Sequence, residues 1–465
     1  MRATASRSSC CEARHREAAA AAIVEGERAA SNLAVLHQRR RPCFARSRPH
    51  AQARKYLTAL MSDLPRKNGW TIAEHAGDTT PDPTQRLLNH AVRDNDQAMT
   101  LVRGFVVEHL ADQPLVVAAL DEAGQEKTGD ATVGVQRQYI GCVGRIANGV
   151  NTAYCCYATP RGHALVGARI YVLADQMADP DRRTACGIDA EVGFRTKPQL
   201  AMDICRDMVA YHTMPPWVAG DEAYVRSGAL RSFLEDNRIG YVMRVGCAFH
   251  VTVRPGGGSA RAEDVLTRHV ATDAWQVRSV TGSKGERAYA WAWIATTNPR
   301  HFLLIHQHLR TGKLAYHYCH VPEGRPVTLM TLVRVACLRW PVEEGFEFGK
   351  DHFGLDHSQV RLYTALSRHI VLTLAALAVC AVTAAQARTQ TPAPILPTTP
   401  DQQPPDDPGL IALTVAEVKR LFMLVTHRVL PQAHHLHWIW WRRRHQARAR
   451  WFHHRARIRR QITQT

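Results

Sequence analysis

Residues 115–120 read "LVVAAL", six apolar residues in a row behind Pro114, and the run is closed by Asp121. So short and continuous a run suits a strand buried on both faces, because a strand with one wet face alternates apolar and polar residues. "WVAG", residues 217–220, is likewise closed by an aspartate, Asp221. Between the two, "TVGVQRQYIG", "NTAYCCYAT" and "ALVGARIYVLA" are strand candidates separated by Gly, Asn and Pro-Arg-Gly turns, and connections that short imply hairpins. "KPQLAMDICRDMVAYH" is helical, a further helix starts near Ser227, and "YVMRV" (241–245) is another strand. Together they describe a mixed α/β core over 113–246.

Upstream, 55–112 reads as a small helical domain, a candidate DNA-binding unit. Thr71 with Glu74 has the spacing of a capping box, and Asp82 before Pro83 reads as an N-cap. After Asp96, Met99, Val102, Phe105, Val106 and Leu110 recur at helical spacing and define a core face. Arg86, His90 and Arg93 follow three- and four-residue steps, which suits a DNA-facing edge or a solvated basic face. Residues 1–54, rich in Arg, Ala and Ser, read as a flexible tail.

Downstream, "YAWAWIA", "FLLIHQHL" and "KLAYHYCHV" make 247–326 a β-rich insertion, and helical pattern returns over 327–388. "IVLTLAALAVCAVTAA" (370–385) is 16 residues long. A bilayer span takes roughly 17–25 residues, so this run reads as a buried core helix. Seven prolines in 391–408 mark 389–409 as an extended linker. The last block, 410–465, is an Arg-rich helix or tail with nine arginines between Arg442 and Arg460 and no acidic residue among them.

The formal net charge of +18 and a pI near 9.7 point to a polyanionic partner, nucleic acid before membrane. Arg442, Arg443 and Arg444 are candidate phosphate contacts. Trp438, Trp440, Trp441 and Trp451, interleaved with them, suit either stacking on bases or packing of the tail onto the core. The 12 cysteines include no C-x-x-C, which argues against a zinc ribbon and for reduced cytoplasmic thiols. His434, His435 and His437 have no nearby cysteine or carboxylate to complete a zinc site. The apolar run 18–24, flanked by Glu17 and Glu25, makes a poor signal peptide.

One segment of this basic chain is acidic. "LRWPVEEGFEFGKDHFGLDHSQVR" (338–361) holds Glu343, Glu344 and Glu347, and on a helix Glu343 and Glu347 share a face and repel. Arg339, Lys350 or a metal ion must lie between them. Asp121 and Asp221 each follow a buried strand, the edge where open α/β sheets place ligands. Three carboxylates converging there would be relieved by a hard divalent cation with oxygen ligands, Mg²⁺ or Mn²⁺.

Arg339, Glu343 and Lys350 follow the spacing R-x3-E-x6-K. The pattern resembles the Y-x2-R-x3-E-x6-K sub-group of DDE transposases of bacterial insertion sequences. "LDEAGQEKTG", "VGVQRQYIGCVGRI", "YATPRGHALV", "GFRTKPQLA", "GDEAYVRSGALRSFLE", "RWPVEEGFEFGK" and "GLDHSQVR" are similar to its blocks, in its order. The resemblance implies a ribonuclease-H-like mixed α/β sheet with a β-rich insertion, preceded by a small helical domain and followed by a basic tail. It implies a catalytic, metal-holding triad of Asp121, Asp221 and Glu343, with Arg339 and Lys350 on the DNA backbone. Mg²⁺ would be the cofactor, with Mn²⁺ able to substitute. Double-stranded DNA, as element ends and target, would be the partner, bound by a homodimer in the synaptic complex, with no membrane role. The expected location is cytoplasmic, with the nucleoid. Glu122, Glu222 and Glu344 adjoin the three and are the alternatives to them. The chain departs from the pattern at Ala336, where a tyrosine is expected, at Ala123, Gly124 and Gln125, and at Val225 after Tyr224. A metal-dependent nuclease on the same core and a catalytically inactive DNA-binding derivative are the competing functions.

Overall fold

The computed structural model describes residues 2–282, 285–399, 401–405 and 407–464, without side-chain detail at 2–18, 280–282, 285–287 and 462–464. Met1 of the expected tail, 283–284 of the insertion, 400 and 406 of the linker and Thr465 lie outside the described residues. The chain begins with five helices: α1 (Arg2–Arg39), α2 (Ser47–Leu60), α3 (Gly69–His75), α4 (Asp82–Asn89) and α5 (Asn95–Leu110). Strands β1 (Val117–Glu126), β2 (Gln136–Ile140), β3 (Arg145–Ala158) and β4 (His163–Ile170) follow, with β2–β3 and β3–β4 as hairpins. Next come α6 (Ala174–Ala178), α7 (Pro180–Cys186) and α8 (Lys197–Ala210), then β5 (Trp217–Gly220), α9 (Glu222–Val225), α10 (Gly228–Asp236) and β6 (Gly240–Val245). β7 (His250–Val251) and β8 (Ala260–Arg261) lead to α11 (Ala262–His269), then to β9 (Gln276–Gly282), β10 (Gly285–Ala295), β11 (His301–His308) and β12 (Leu314–His320). The chain closes with α12 (Leu329–Cys337), α13 (Pro341–Phe353), α14 (Tyr363–Gln390), α15 (Val415–Thr426) and α16 (Gln432–Gln464).

The main sheet runs β2-β3-β1-β5-β6-β12-β11-β10-β9, with β4 also paired to β3. β1 is antiparallel to β3 and parallel to β5, and β5 is parallel to β6. This mixed sheet behind a helical N-terminal region has the ribonuclease-H-like α/β character expected from the sequence. The region read as an insertion is joined to the sheet. β12 pairs antiparallel with β6, matching Tyr316 with Val245, and carries β11, β10 and β9 outward. A free edge on β6 would expose unpaired backbone groups, and β12 takes it up.

Helix α14 is apolar all round, and 94% of its apolar window is buried in the fold, as a core helix requires. It packs against β4, α5, α1, α15, α2 and α13. The N-terminal segment therefore differs from the expected flexible tail. Ala29, Leu33 and Leu36 of α1 are buried, as are Val418 and Phe422 of α15 beside it. At Gly26 a Cβ would lie 2.7 Å from the Leu421 carbonyl oxygen, so the two helices meet there backbone to backbone.

Local caps also differ from the sequence reading. Asn68 caps α3 and forms the capping box with Thr71, which frees Glu74 for a partner elsewhere. Asp82 is the first residue of α4 and Pro81 its N-cap, while Asp94 caps α5 through the Gln97 amide. Arg86 and His90 are exposed, but Arg93 lies beyond α4, buried, and donates to Asn95 and to the Arg368 carbonyl. A DNA-facing edge of all three is thereby ruled out, because Arg93 is committed to the core.

Gly26→Val is expected to destabilise the protein by about 1–3 kcal/mol through overpacking of α1 on α15. Gly104→Ala on α5, where a Cβ meets nothing within 4 Å, should instead be neutral or stabilise by up to about 1 kcal/mol. Chemical denaturation of the two variants measures both, and an unchanged midpoint for Gly26→Val would contradict the close approach.

Candidate active site

Register brings the two aspartates together. Ala119 of β1 lies beside Ala219 of β5 in the parallel pair, so two residues on Asp121 and Asp221 reach the same level of adjacent strands. β1 does not stop at Asp121 as the apolar run suggests. Its antiparallel partner β3 holds it to Glu126, whereas β5 ends at Gly220 and Asp221 turns away as the N-cap of α9. Asp121 Oδ1 accepts from the Glu122 amide at 2.8 Å, and Asp221 Oδ1 from the Ala223 amide at 3.0 Å. One ligand oxygen from each of Asp121, Glu122 and Asp221 lies within 4.8 Å of the others, the one potential metal-ligating group among the described residues.

Glu343 reaches this cluster through a guanidinium. Arg339 donates from Nη1 to Asp121 Oδ2 at 2.9 Å and from Nη2 to Glu343 Oε1 at 2.5 Å. Helix α13 is set by its buried face. Val342 and Phe353 are buried, a Cβ on Gly345 would come 3.2 Å from Leu165 of β4, and Phe346 meets Tyr154 edge-on at 5.2 Å. With that face inward the three glutamates part company: Glu343 meets Arg339, Glu344 lies 3.8 Å from His163, and Glu347 is exposed. Lys350 joins none of them, since its Nζ donates to the Gly124 carbonyl of β1 at 3.0 Å.

Two further residues complete the cluster. Lys197, at the start of α8, pairs with Glu122 Oε1 at 2.6 Å, and the Tyr224 phenol donates to Oε2 at 3.2 Å. The sequence named Glu122 only as a neighbour of Asp121. Lys197 and Tyr224 sit in the blocks "GFRTKPQLA" and "GDEAYV", but nothing in their spacing points to a carboxylate so far along the chain. Burial pushes the Asp121 carboxyl up to about 7, with Arg339 opposing and Asp221 reinforcing the shift. Asp221 is raised by burial first and then by Glu122.

Comparison with known proteins gives the family. A family model described as "DDE superfamily endonuclease" matches residues 41–278, more than half of the chain, and one described as "Transposase DDE domain" matches 197–379. The chain belongs to the DDE superfamily of endonucleases and transposases. A protein of Microchaete diplosiphon, "Probable transposase for insertion sequence element IS701", is 26% identical over 255 residues. The match takes in 53% of this chain and 63% of that protein. The likeness to insertion-sequence DDE transposases seen in the sequence blocks therefore holds.

In this DDE protein the C-terminal arginines divide in two. Arg442 pairs with Glu74 and lies over the Trp438 ring, 5.5 Å from its centroid. Trp438 is wholly buried and donates to the Asp78 carbonyl, and Trp441 meets Trp70 at 5.1 Å. Those two tryptophans pack the helix onto the fold, whereas Trp440 and Trp451 are exposed. Arg443 and Arg444 are exposed, Arg444 above Trp440. His434 and His437 contact the carbonyls of Glu74 and Thr79, which accounts for both without a metal.

The raised Asp121 pKa fixes the sign of a pH effect. An unfolded aspartate ionises near pH 3.9, so the fold keeps a proton that the unfolded chain releases. That stability is fully present below about pH 4 and is lost as pH rises through about 7. Asp121→Asn should therefore be more stable than wild type at pH 8 by roughly 1–3 kcal/mol, with the gap closing toward pH 4. Thermal melts without divalent ions at both pH values check this, and a gap independent of pH would remove the buried carboxylate from the account.

Proposed function

We propose that this chain is the transposase of an insertion sequence, cutting DNA at the ends of its element and joining the freed ends to a target. The observation that carries the reading is the pair of register-matched aspartates on adjacent parallel strands, linked to Glu343 through one guanidinium. Asp121, Asp221 and Glu343 are the proposed catalytic carboxylates. An all-oxygen donor set with two of its carboxyls pushed toward protonation fits a hard divalent cation, Mg²⁺ or Mn²⁺. When bound, such ions supply activation of water or a 3′-hydroxyl and stabilisation of the leaving oxygen. Glu122 is the weaker candidate for the third ligand, because Lys197 and Tyr224 already engage both of its oxygens.

The chain's own residues supply position and charge. Arg339 holds Asp121 and Glu343 together, and as a cation within the cluster it is proposed to meet a DNA phosphate entering the site. Lys350 ties α13 to β1 through Gly124, so its expected place on the DNA backbone is proposed only as a second role. Arg443 and Arg444 are proposed DNA contacts, while Arg442 is an anchor. A homodimer on paired element ends, working in the cytoplasm with the nucleoid, completes the reading.

Asp121→Asn, Asp221→Asn and Glu343→Gln should each reduce Mg²⁺-dependent single-turnover cleavage of an end fragment by about 100-fold or more, with fragment binding retained. Glu344→Gln, whose side chain faces His163, should stay within about tenfold of wild type. Cleavage by wild type without joining to target DNA would identify a nuclease on the same core. No cleavage in either metal would identify an inactive DNA-binding derivative.

A further inference from the structure

Helix α16 is rooted at one end and solvent-exposed along most of its described length. Trp438, the Arg442–Glu74 pair and the His434 and His437 contacts fix its first turns to α3 and the loop after it. From Arg443 to Gln461 every residue is exposed except half-buried Ala449. At 1.5 Å per residue that length is about 28 Å. Eight of the nine arginines lie on it, and it carries no acidic residue. A helix so charged repels itself, and an anchored one keeps that charge in a fixed direction.

The arginines are not spread evenly. Arg443, Arg450 and Arg457 recur at seven-residue steps, and Arg444, Arg448, Arg455 and Arg459 follow steps of four, seven and four. At about 100° per residue these make two stripes roughly 150° apart around the axis. A helix lying on an anionic membrane has one polar face and one apolar face. Here the exposed aromatics are bracketed by guanidiniums, with Arg455 over both Trp451 and Phe452, and Arg448 over Phe452. Charge on two opposed flanks matches a ligand with an anionic wall on each side. The major groove of duplex DNA, about 12 Å wide and walled by two phosphate backbones, is such a ligand and admits one helix.

We propose that α16 beyond its anchor is a DNA-binding arm that lies in the major groove, with the two arginine stripes on the two phosphate walls. The arm binds without regard to sequence. It acts apart from the carboxylate site, so neither element ends nor a metal is needed to observe it.

The test uses the full chain and a random-sequence duplex lacking element ends, in EDTA, with affinity followed against salt concentration. R448A/R450A/R455A/R457A should bind at least about tenfold more weakly, with the slope of log affinity against log salt shallower by about 0.9 for each phosphate that the variant leaves unneutralised. The corresponding four-lysine variant should keep most of the slope, and since alanine favours helix the melting temperature should hold. A duplex whose major groove is filled by glucosylated 5-hydroxymethylcytosine should abolish the arm's contribution, so that wild type and the alanine variant bind it alike. An unchanged slope overturns the proposal, as does an equal wild-type advantage on the glucosylated duplex. Binding of wild type to phosphatidylserine vesicles that the alanine variant loses, with DNA affinity unaltered, would overturn it in favour of a membrane. None of these outcomes bears on cleavage, which the carboxylate variants test separately.

Discussion

Arg339 is the interaction on which the site depends. Its guanidinium spans Asp121 on the central strand and Glu343 on α13, residues that the chain separates by the whole of the sheet. Burying carboxylates side by side is unfavourable, and the raised protonation of Asp121 and Asp221 records that cost. The guanidinium offsets part of it because its rigid fork donates to two carboxylates at once. A lysine would offer a point charge in its place. Lys350 and Lys197 work around the same cluster, one on the β1 backbone and one on Glu122, so three cations surround the acidic group and two of them bond to its carboxylates.

That geometry follows from the sheet. Two parallel strands in register bring Asp121 and Asp221 level, and the unequal lengths of β1 and β5 release Asp221 into a helix cap while Asp121 stays in the ladder. β12 then pairs with β6, so the strands from β9 to β12 lengthen the same sheet and α12 crosses back over it toward Arg339. The long stretch between Asp221 and Glu343 thus returns α13 to the cluster along one continuous surface.

The parts of this that were legible in the sequence are those with short-range causes. Continuous apolar runs closed by Asp121 and Asp221 marked the central strands, and the R-x3-E-x6-K spacing marked a helix bearing Glu343 and Lys350, with Arg339 in the turn before it. What escaped depended on partners distant in the chain. Thr71 and Glu74 have capping-box spacing, yet Asn68 takes the cap and Glu74 meets Arg442 from the other end of the chain. Arg93 looks like a surface cation until the Arg368 carbonyl accepts from it. Glu122 enters the cluster because Lys197 and Tyr224 hold it there, and strand alternation alone would have turned it away from Asp121.

The largest difference, at the N-terminus, has its cause in α14. A helix apolar on every side cannot leave one side to water without exposing a long apolar stripe. β4, α5, α2 and α13 cover part of it, and α1 and α15, from opposite ends of the chain, cover more. Read locally, residues 1–54 have too weak a periodicity to announce a core-facing helix, and the Pro-rich segment before α15 looks like the end of the fold. Yet "IVLTLAALAVCAVTAA" taken as a core helix already demanded cover beyond the central sheet. Gly26, where α1 and α15 touch through their backbones, is where that demand is met: only a residue without a side chain lets the two outer helices close over α14 together.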